Sequence, residues 1–249
     1  MIPKPTPIVI TDLTRMHRGM VCIAGYDKDL RCIRPVLPPP GIPEHSLFGS
    51  DGKPIIFPFA VIQLDLLEAC PGPPHTEDFY FFSPSPRFIR PAKDPKNLLE
   101  RTLSPDVCGI FEQPIHTDFG FYVMDGQGPR SLGTIRPDAI TKVGYEPDPN
   151  GGTWDYRLTF TDARMDTYRL KITDLTWQYF CHNQRSEQRP PAQIALELTH
   201  TLQTRDVYLR IGLARGWKEH PERCFLQITG IYTFPDYLNG KTFADLKSK

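Results

Sequence analysis

The side chains able to do covalent or metal chemistry are scattered along this chain. Its six cysteines (22, 32, 70, 108, 181 and 224) form no CxxC pair, and no HxH or HExxH spacing occurs among the seven histidines. Cys181-His182 is an adjacent pair, and neighbouring residues cannot readily turn both side chains onto one zinc. Gly49-Ser50-Asp51-Gly52-Lys53-Pro54 has the composition of a phosphate loop but lacks its spacer and its hydroxyl after the lysine, so it reads as a turn. Asp51-x-Lys53 and Asp94-x-Lys96 have turn and helix-cap explanations, and no G-x-S-x-G elbow is present. His116 near Asp118 could exchange protons, although a loop histidine is ordinarily just solvated. No catalytic residue, metal site or cofactor is expected from these patterns.

The chemistry that remains is recognition. Tyr156 to Thr161 and Thr167 to Thr173 alternate at period two around Asp162–Asp166, which predicts a β-hairpin. Alternation places Tyr156, Leu158 and Phe160 on one face and puts Arg157, Arg169 and Lys171 together on the other. Three cations with threonine hydroxyls beside them suit phosphates, and equally suit a solvated face balanced by nearby acids. A second candidate is the strand from Val207 to Leu213. Its odd-numbered positions are apolar, so Tyr208 and Arg210 are expected to point outward, with Arg215, Trp217 and Lys218 in the loop beyond. Rings interleaved with cations are what single-stranded nucleic acid requires. The competing reading makes Trp217 a buried anchor. Arg31 and Arg34 could extend such a surface or simply end a strand.

These residues need strands to position them. Strands are expected at 8–14, 20–25, 31–36, 60–67, 79–82, 119–124, 130–136, 207–213 and 225–232, separated by proline or glycine breaks. Asp94-Pro95 predicts a capped helix through about 103. A second helix follows Thr173-Asp174, and Ile194, Leu198 and Leu202 mark a third across 191–203. The stretch from Gly144 to Gly152 reads as a linker or long hairpin loop. Ile-Thr-Asp-Leu-Thr occurs at both 10–14 and 172–176, and Ile-Arg-Pro occurs at 33–35, 89–91 and 135–137. Either the chain is a duplicated barrel with equivalent corners, or these are convenient strand-end chemistries.

Composition bounds the remaining possibilities. A chain of 249 residues makes one large domain or two small ones, and its 39% apolar and 23% charged residues are those of a globular protein. Lys plus Arg equal Asp plus Glu at 29 each, so a nucleic-acid binder needs a local basic face, and neutrality favours association. The 27 prolines, about twice the usual share, favour short strands and rigid connectors. No apolar run is long enough to span a bilayer. The first residues lack the apolar core of a signal peptide, which points to a cytoplasmic protein with reduced thiols.

Several strings resemble a known family. Val21-Cys22-Ile23-Ala24-Gly25 with Cys32-Ile33-Arg34-Pro35-Val36 is similar to the opening of the dual-OB-containing proteins of bacteria and archaea. Ser131-Leu132-Gly133 with Ile135-Arg136-Pro137 resembles their middle. Tyr208 to Arg215 with Leu226 to Tyr232 resembles their end. Pro38 to Pro54 and Asp148 to Thr153 are longer than the likeness leads one to expect. The resemblance covers most of the chain and implies a mainly β protein with a few short helices, built as two OB-like β-barrels in tandem, without implying an activity. The expected division is 1–145 for the first barrel and 146–249 for the second with a helical insert, the two either independent or packed as one unit. OB barrels commonly hold single-stranded nucleic acid on an open sheet face, so the expected partner is DNA or RNA bound by Arg157, Arg169, Lys171, Tyr208, Arg210, Arg215 and Trp217. The alternative is a protein-interaction subunit docking its β surface and proline-rich loops into a larger complex.

Overall fold

Alternating apolar residues between closely spaced prolines favour short paired strands, and the chain folds that way. The computed structural model describes residues 3–148 and 154–247. The first sheet contains β1 (Lys4–Arg15), β2 (Met20–Tyr26), β3 (Cys32–Val36), β4 (Ile42–Pro43), β5 (Ala60–Ala69), β6 (Asp78–Phe81) and β7 (Arg87–Pro91). Its order is β1-β2-β3-β6-β5, and β5 returns to β1 from Lys4↔Leu66 to Val9↔Val61, closing a barrel. β3 and β6 run parallel, which a short turn cannot connect, so the long crossover of β4 and β5 lies between them.

Two short helices, α1 (Pro95–Arg101) and α2 (Val107–Phe111), lead into the second sheet. The Asp94 carboxylate caps α1 by accepting from Asn97 N at 3.0 Å with Pro95 at the first helical position, as the sequence predicts. The second sheet contains β8 (His116–Thr117), β9 (Phe121–Met124), β10 (Leu132–Ile135), β11 (Ala139–Pro147), β12 (Trp154–Thr161), β13 (Thr167–Ile172), β14 (Asp206–Leu213) and β15 (Arg223–Phe234). Between β13 and β14 lie α3 (Leu175–Ser186) and α4 (Pro191–Thr204), and α5 (Phe243–Leu246) follows β15.

The order β11-β12-β13-β15-β14 repeats the order of the first barrel, with the third and fifth strands again parallel. Here the fourth strand, β14, pairs with β10 and not with β11, so the second barrel stays open along one seam. α4 covers that seam. Its expected stripe of Ile194, Leu198 and Leu202 is buried, each side chain stabilising the packing by about 1.5–3 kcal/mol. Thr199 Oγ1 also accepts from Val143 N of β11 at 2.9 Å. The chain is thus two OB-like barrels in tandem, one closed and one half-open.

One apolar cluster joins Ile10, Ile23 and Ile62 of the first barrel to Leu158, Ile172, Leu209 and Ile228 of the second. The sheets hand over between Pro91 and His116, where α1 and α2 lie. A division at 145/146 would cut through β11. Of the stretch 144–152, expected as a linker or long hairpin loop, residues 144–147 are instead the end of β11, which pairs antiparallel with β12 as a hairpin does, while 149–152 lie outside the described residues. A bulge between Ile140 and Lys142 hides this strand from a period-two reading, because Ile140 and the buried Val143 stand three apart.

The repeated strings do not occupy equivalent corners. Ile10–Thr14 lies in the first strand of one barrel, and Ile172–Thr176 leaves the third strand of the other. They meet across the junction, where Arg15 N donates to Thr173 O at 2.9 Å.

Candidate nucleic-acid interface

The hairpin β12–β13 holds the first group of expected residues as alternation requires. Tyr156, Leu158, Phe160, Tyr168, Leu170 and Ile172 are buried, and register sets Arg157 opposite Lys171 and Thr159 opposite Arg169. The turn is fixed by the buried Asp162, whose carboxylate accepts from the backbone N–H of Arg164 and Asp166 and of Val107 at the start of α2. On the outer face Asp155 pairs with Arg157 at 2.6 Å and with Lys171 at 3.5 Å. Arg169 and Lys142 make no ion pair among the described residues. Register adds Lys142 and Glu146 of β11 to the face, giving four cations against the carboxylates of Asp155 and Glu146.

The second group is divided. Tyr208 and Arg210 do leave the core of their own barrel, but α1 packs over Tyr208 and the first barrel over Arg210, leaving them 1% and 0% exposed. Their expected role as outward contacts is therefore corrected. Arg210 Nη2 lies 2.9 Å from Asp12 Oδ2, and its Nη1 donates to Tyr26 Oη at 2.5 Å and Thr134 Oγ1 at 2.8 Å. Thr229 Oγ1 donates to Asp12 Oδ1, and Tyr208 Oη donates to Glu100 Oε1 at 2.9 Å. Arg34 is buried in the same junction. Its Nε donates to Asp78 Oδ1 at 2.6 Å and its Nη1 to Ser131 Oγ at 3.2 Å. Arg31 stays exposed and pairs with Asp27.

Arg215 and Trp217 lie in the loop between the fourth and fifth strands of the second barrel. Arg215 reaches across to Asp78, tying this loop to the first barrel. Trp217 is 50% exposed, so it is not a buried anchor. Gly216 is required here, since a Cβ would stand 2.1 Å from Pro221 O.

The corresponding loop of the first barrel has the same form. Gly72 bridges His75, and Trp217 bridges His220, each across two turn residues. In each, the carbonyl of the glutamate two residues after the histidine accepts a backbone N–H: Glu77 from Arg34, Glu222 from Asp125. His75-Thr76-Glu77 and His220-Pro221-Glu222 are thus a structural repeat that sequence reading overlooked. The first copy is buried, with Glu77 accepting from Ser131 N at 2.7 Å and Leu132 N at 3.2 Å. The second is open to solvent.

A row of rings adjoins the cationic face. Lys171 pairs with Gln227 of β15, and Phe225, two residues earlier, lies on the same face and pairs with Tyr122 of β9, which pairs with His116 of β8. Ring centroids follow one another from Trp217 to His220 (5.9 Å), Phe119 (5.1 Å), Phe225 (5.2 Å), Tyr122 (5.6 Å) and His116 (5.3 Å). Phe119 is 61% exposed. Arg223 lies over Tyr122 and Phe119 and is held by Asp118 at 2.8 Å. His116 therefore belongs to a ring stack, while Asp118 is committed to Arg223.

The chain matches the model of the dual OB-containing domain over residues 7–231. It belongs to that family. No curated protein matches the sequence.

In this family member one thiol–imidazole–carboxylate group among the described residues is electrostatically quiet. Cys224 Sγ lies 4.0 Å from His75 Nε2 and 3.4 Å from Asp125 Oδ1. Burial, then Asp125, pushes the thiol up to about 12. Burial, then the charges of Arg34 and Arg215, pushes His75 down to about 2. A neutral thiol beside a neutral imidazole is not an activated nucleophile. A recess of about 620 Å³ near Arg136 and Arg205 is similarly spent, because Arg136 pairs with Asp206 and Arg205 donates to the carbonyls of Pro235 and Asp236. No group of three metal-ligating side chains occurs among the described residues, and none of their helices is long and apolar enough to cross a membrane.

Proposed function

We propose that this chain binds nucleic acid on the outer face of β11, β12 and β13, with the Trp217 loop at its margin. The observation carrying this reading is the inequality of the two barrels. OB barrels use the face of their second and third strands and the loop between the fourth and fifth. In the first barrel Tyr26, Cys32, Arg34 and His75 of that region are turned into the junction. In the second barrel the same region presents Arg157, Arg169, Lys171, Thr159 and Trp217 to solvent. Cations supported by hydroxyls bind phosphate, and among the described residues no carboxylate pairs with Arg169.

The test is fluorescence anisotropy with labelled DNA and RNA across a salt series, on the wild type and on a variant with Arg157, Arg169 and Lys171 changed to Ala. Binding should weaken with salt, and the variant should lose about two units of the log–log slope, as expected for three single-strand phosphate contacts. Absence of salt-dependent binding to any nucleic acid would refute the proposal. One observation favours a second reading, a protein-docking subunit: Leu67, Phe82, Phe88 and Ile89 of the first barrel are all more than a third exposed. Binding of neither DNA nor RNA would turn attention to that surface.

A further inference from the structure

The outer face of the second sheet changes character along its length. From β11 to β13 it carries Lys142, Arg157, Arg169 and Lys171. From β15 through β9 to β8 it carries Phe225, Tyr122 and His116, continued through Phe119 and His220 to Trp217. The ring half is not a second phosphate site. Arg223 there is paired with Asp118 and Glu222, so its positive charge is already matched, and His220 stands 3.6 Å from Glu222. Nor does folding require all of these rings to be sheltered, since Phe119 and Trp217 stand half exposed or more.

We infer that the β8–β9 hairpin and the Trp217 loop form a stacking platform for unpaired bases, which makes the second barrel selective for single strands over duplex. The inference rests on the nucleic-acid reading of the neighbouring face. The strand lies with its phosphates over Arg157, Arg169 and Lys171, and its bases turn toward the rings. The carboxylates of Asp118 and Glu222 disfavour phosphate on the ring half and leave neutral bases as its occupants. A duplex keeps the faces of its bases stacked inside the helix and offers these rings nothing, so only an unpaired strand satisfies both halves of the sheet.

The experiment compares three labelled probes of about 16 nucleotides, a length that spans an OB face: a single strand, its duplex, and an abasic strand of the same backbone. Each is titrated against the wild type, Phe119→Ala, the double variant Phe119→Ala/Trp217→Ala, and the triple Ala variant of Arg157, Arg169 and Lys171. Both rings are exposed, so their removal should leave the unfolding midpoint in place. The wild type should bind the single strand at least ten-fold more tightly than the abasic strand or the duplex. Each ring removed should cost about 5- to 150-fold on the single strand and leave abasic binding unchanged. If the wild type binds all three probes equally and only the cation variant loses affinity, the platform is refuted and the phosphate site stands. If no probe binds at low salt, the underlying reading falls and the platform with it.

Discussion

Arg210→Ala separates two views of the same residue. Were it a surface contact, its loss would weaken ligand binding and leave stability nearly untouched. In the structure its guanidinium is wholly buried, ion-paired with Asp12 and bonded to Tyr26 and Thr134, three partners from both barrels. Removing it strands the Asp12 carboxylate in the junction with, among the described residues, only the hydroxyls of Thr11 and Thr229 bonded to it. Breaking a buried pair from one side costs about 3–5 kcal/mol. That is a large share of the roughly 5–15 kcal/mol that holds a domain together. With a urea slope of about 1–3 kcal/mol/M, the midpoint should fall by at least about 1 M.

The assay is equilibrium urea unfolding followed both by far-ultraviolet circular dichroism and by tryptophan fluorescence. Because one apolar cluster runs through both barrels, the two signals should fall together in one transition. Arg210→Met combined with Asp12→Leu removes both charges and should recover most of the loss, since an ion pair exchanged for well-packed apolar groups is often neutral. A single variant within about 1 kcal/mol of the wild type, with strand binding abolished, would refute the buried role.

Three further outcomes follow from the same geometry. Asp155→Asn frees Arg157 and Lys171 from their shared carboxylate, and strand affinity at low salt should rise several-fold in an anisotropy titration. Asp174, raised to about 7 mainly by burial, holds its proton in the fold at pH values where the unfolded chain has released it. Its contribution is therefore complete below about pH 4 and is lost as pH rises toward 7, at up to about 1.4 kcal/mol per unit. His75, lowered to about 2, acts oppositely: its contribution is complete above about pH 6.5 and is lost as pH falls. The two slopes oppose each other between pH 4 and 6.5, so chemical denaturation of Asp174→Asn across that range should show stability rising more steeply with pH than in the wild type. Finally, with one of two barrel faces buried, saturating titration with a short single strand should give one bound strand per chain, and two would contradict the burial of Arg34 and Arg210.

Alternation was a reliable guide wherever a strand has one wet face. It placed Arg157, Arg169 and Lys171 together because β12 and β13 are partnered by solvent on that side. The same rule misread Tyr208 and Arg210, for it tells which residues leave a barrel's core and not what meets them there. YLRIGL would have betrayed β14 only through its glycine: a Cβ on Gly212 would lie 2.8 Å from both Leu132 and Thr229, the mark of a strand packed on both sides. The ring platform was illegible for a different reason. Its members come from residues 116–122, 217–220 and 225, and only the pairing of Phe225 with Tyr122 and of Tyr122 with His116 brings them into line. The His-x-Glu repeat was visible in principle, as each copy stands just before the fifth strand of its barrel, but three residues are too few to notice before the topology is known.

That repeat also accounts for the asymmetry between the barrels. Both loops make the same turn and offer the same glutamate carbonyl to a neighbouring N–H, so the backbone alone does not separate them. The difference lies in what the side chains have been given to do. Glu77 accepts two backbone N–H bonds and the Ser131 hydroxyl, and Asp78 joins Arg34 to Arg215, so the first loop is consumed in holding the second barrel in place. Glu222 instead pairs with Arg223, beneath rings that face solvent. A charged group satisfied by buried partners has no bonding capacity left for a ligand, whereas an exposed face retains it. Burying the face of one barrel thus ties the two barrels together, and it leaves the face of the other as a single continuous sheet surface open to solvent.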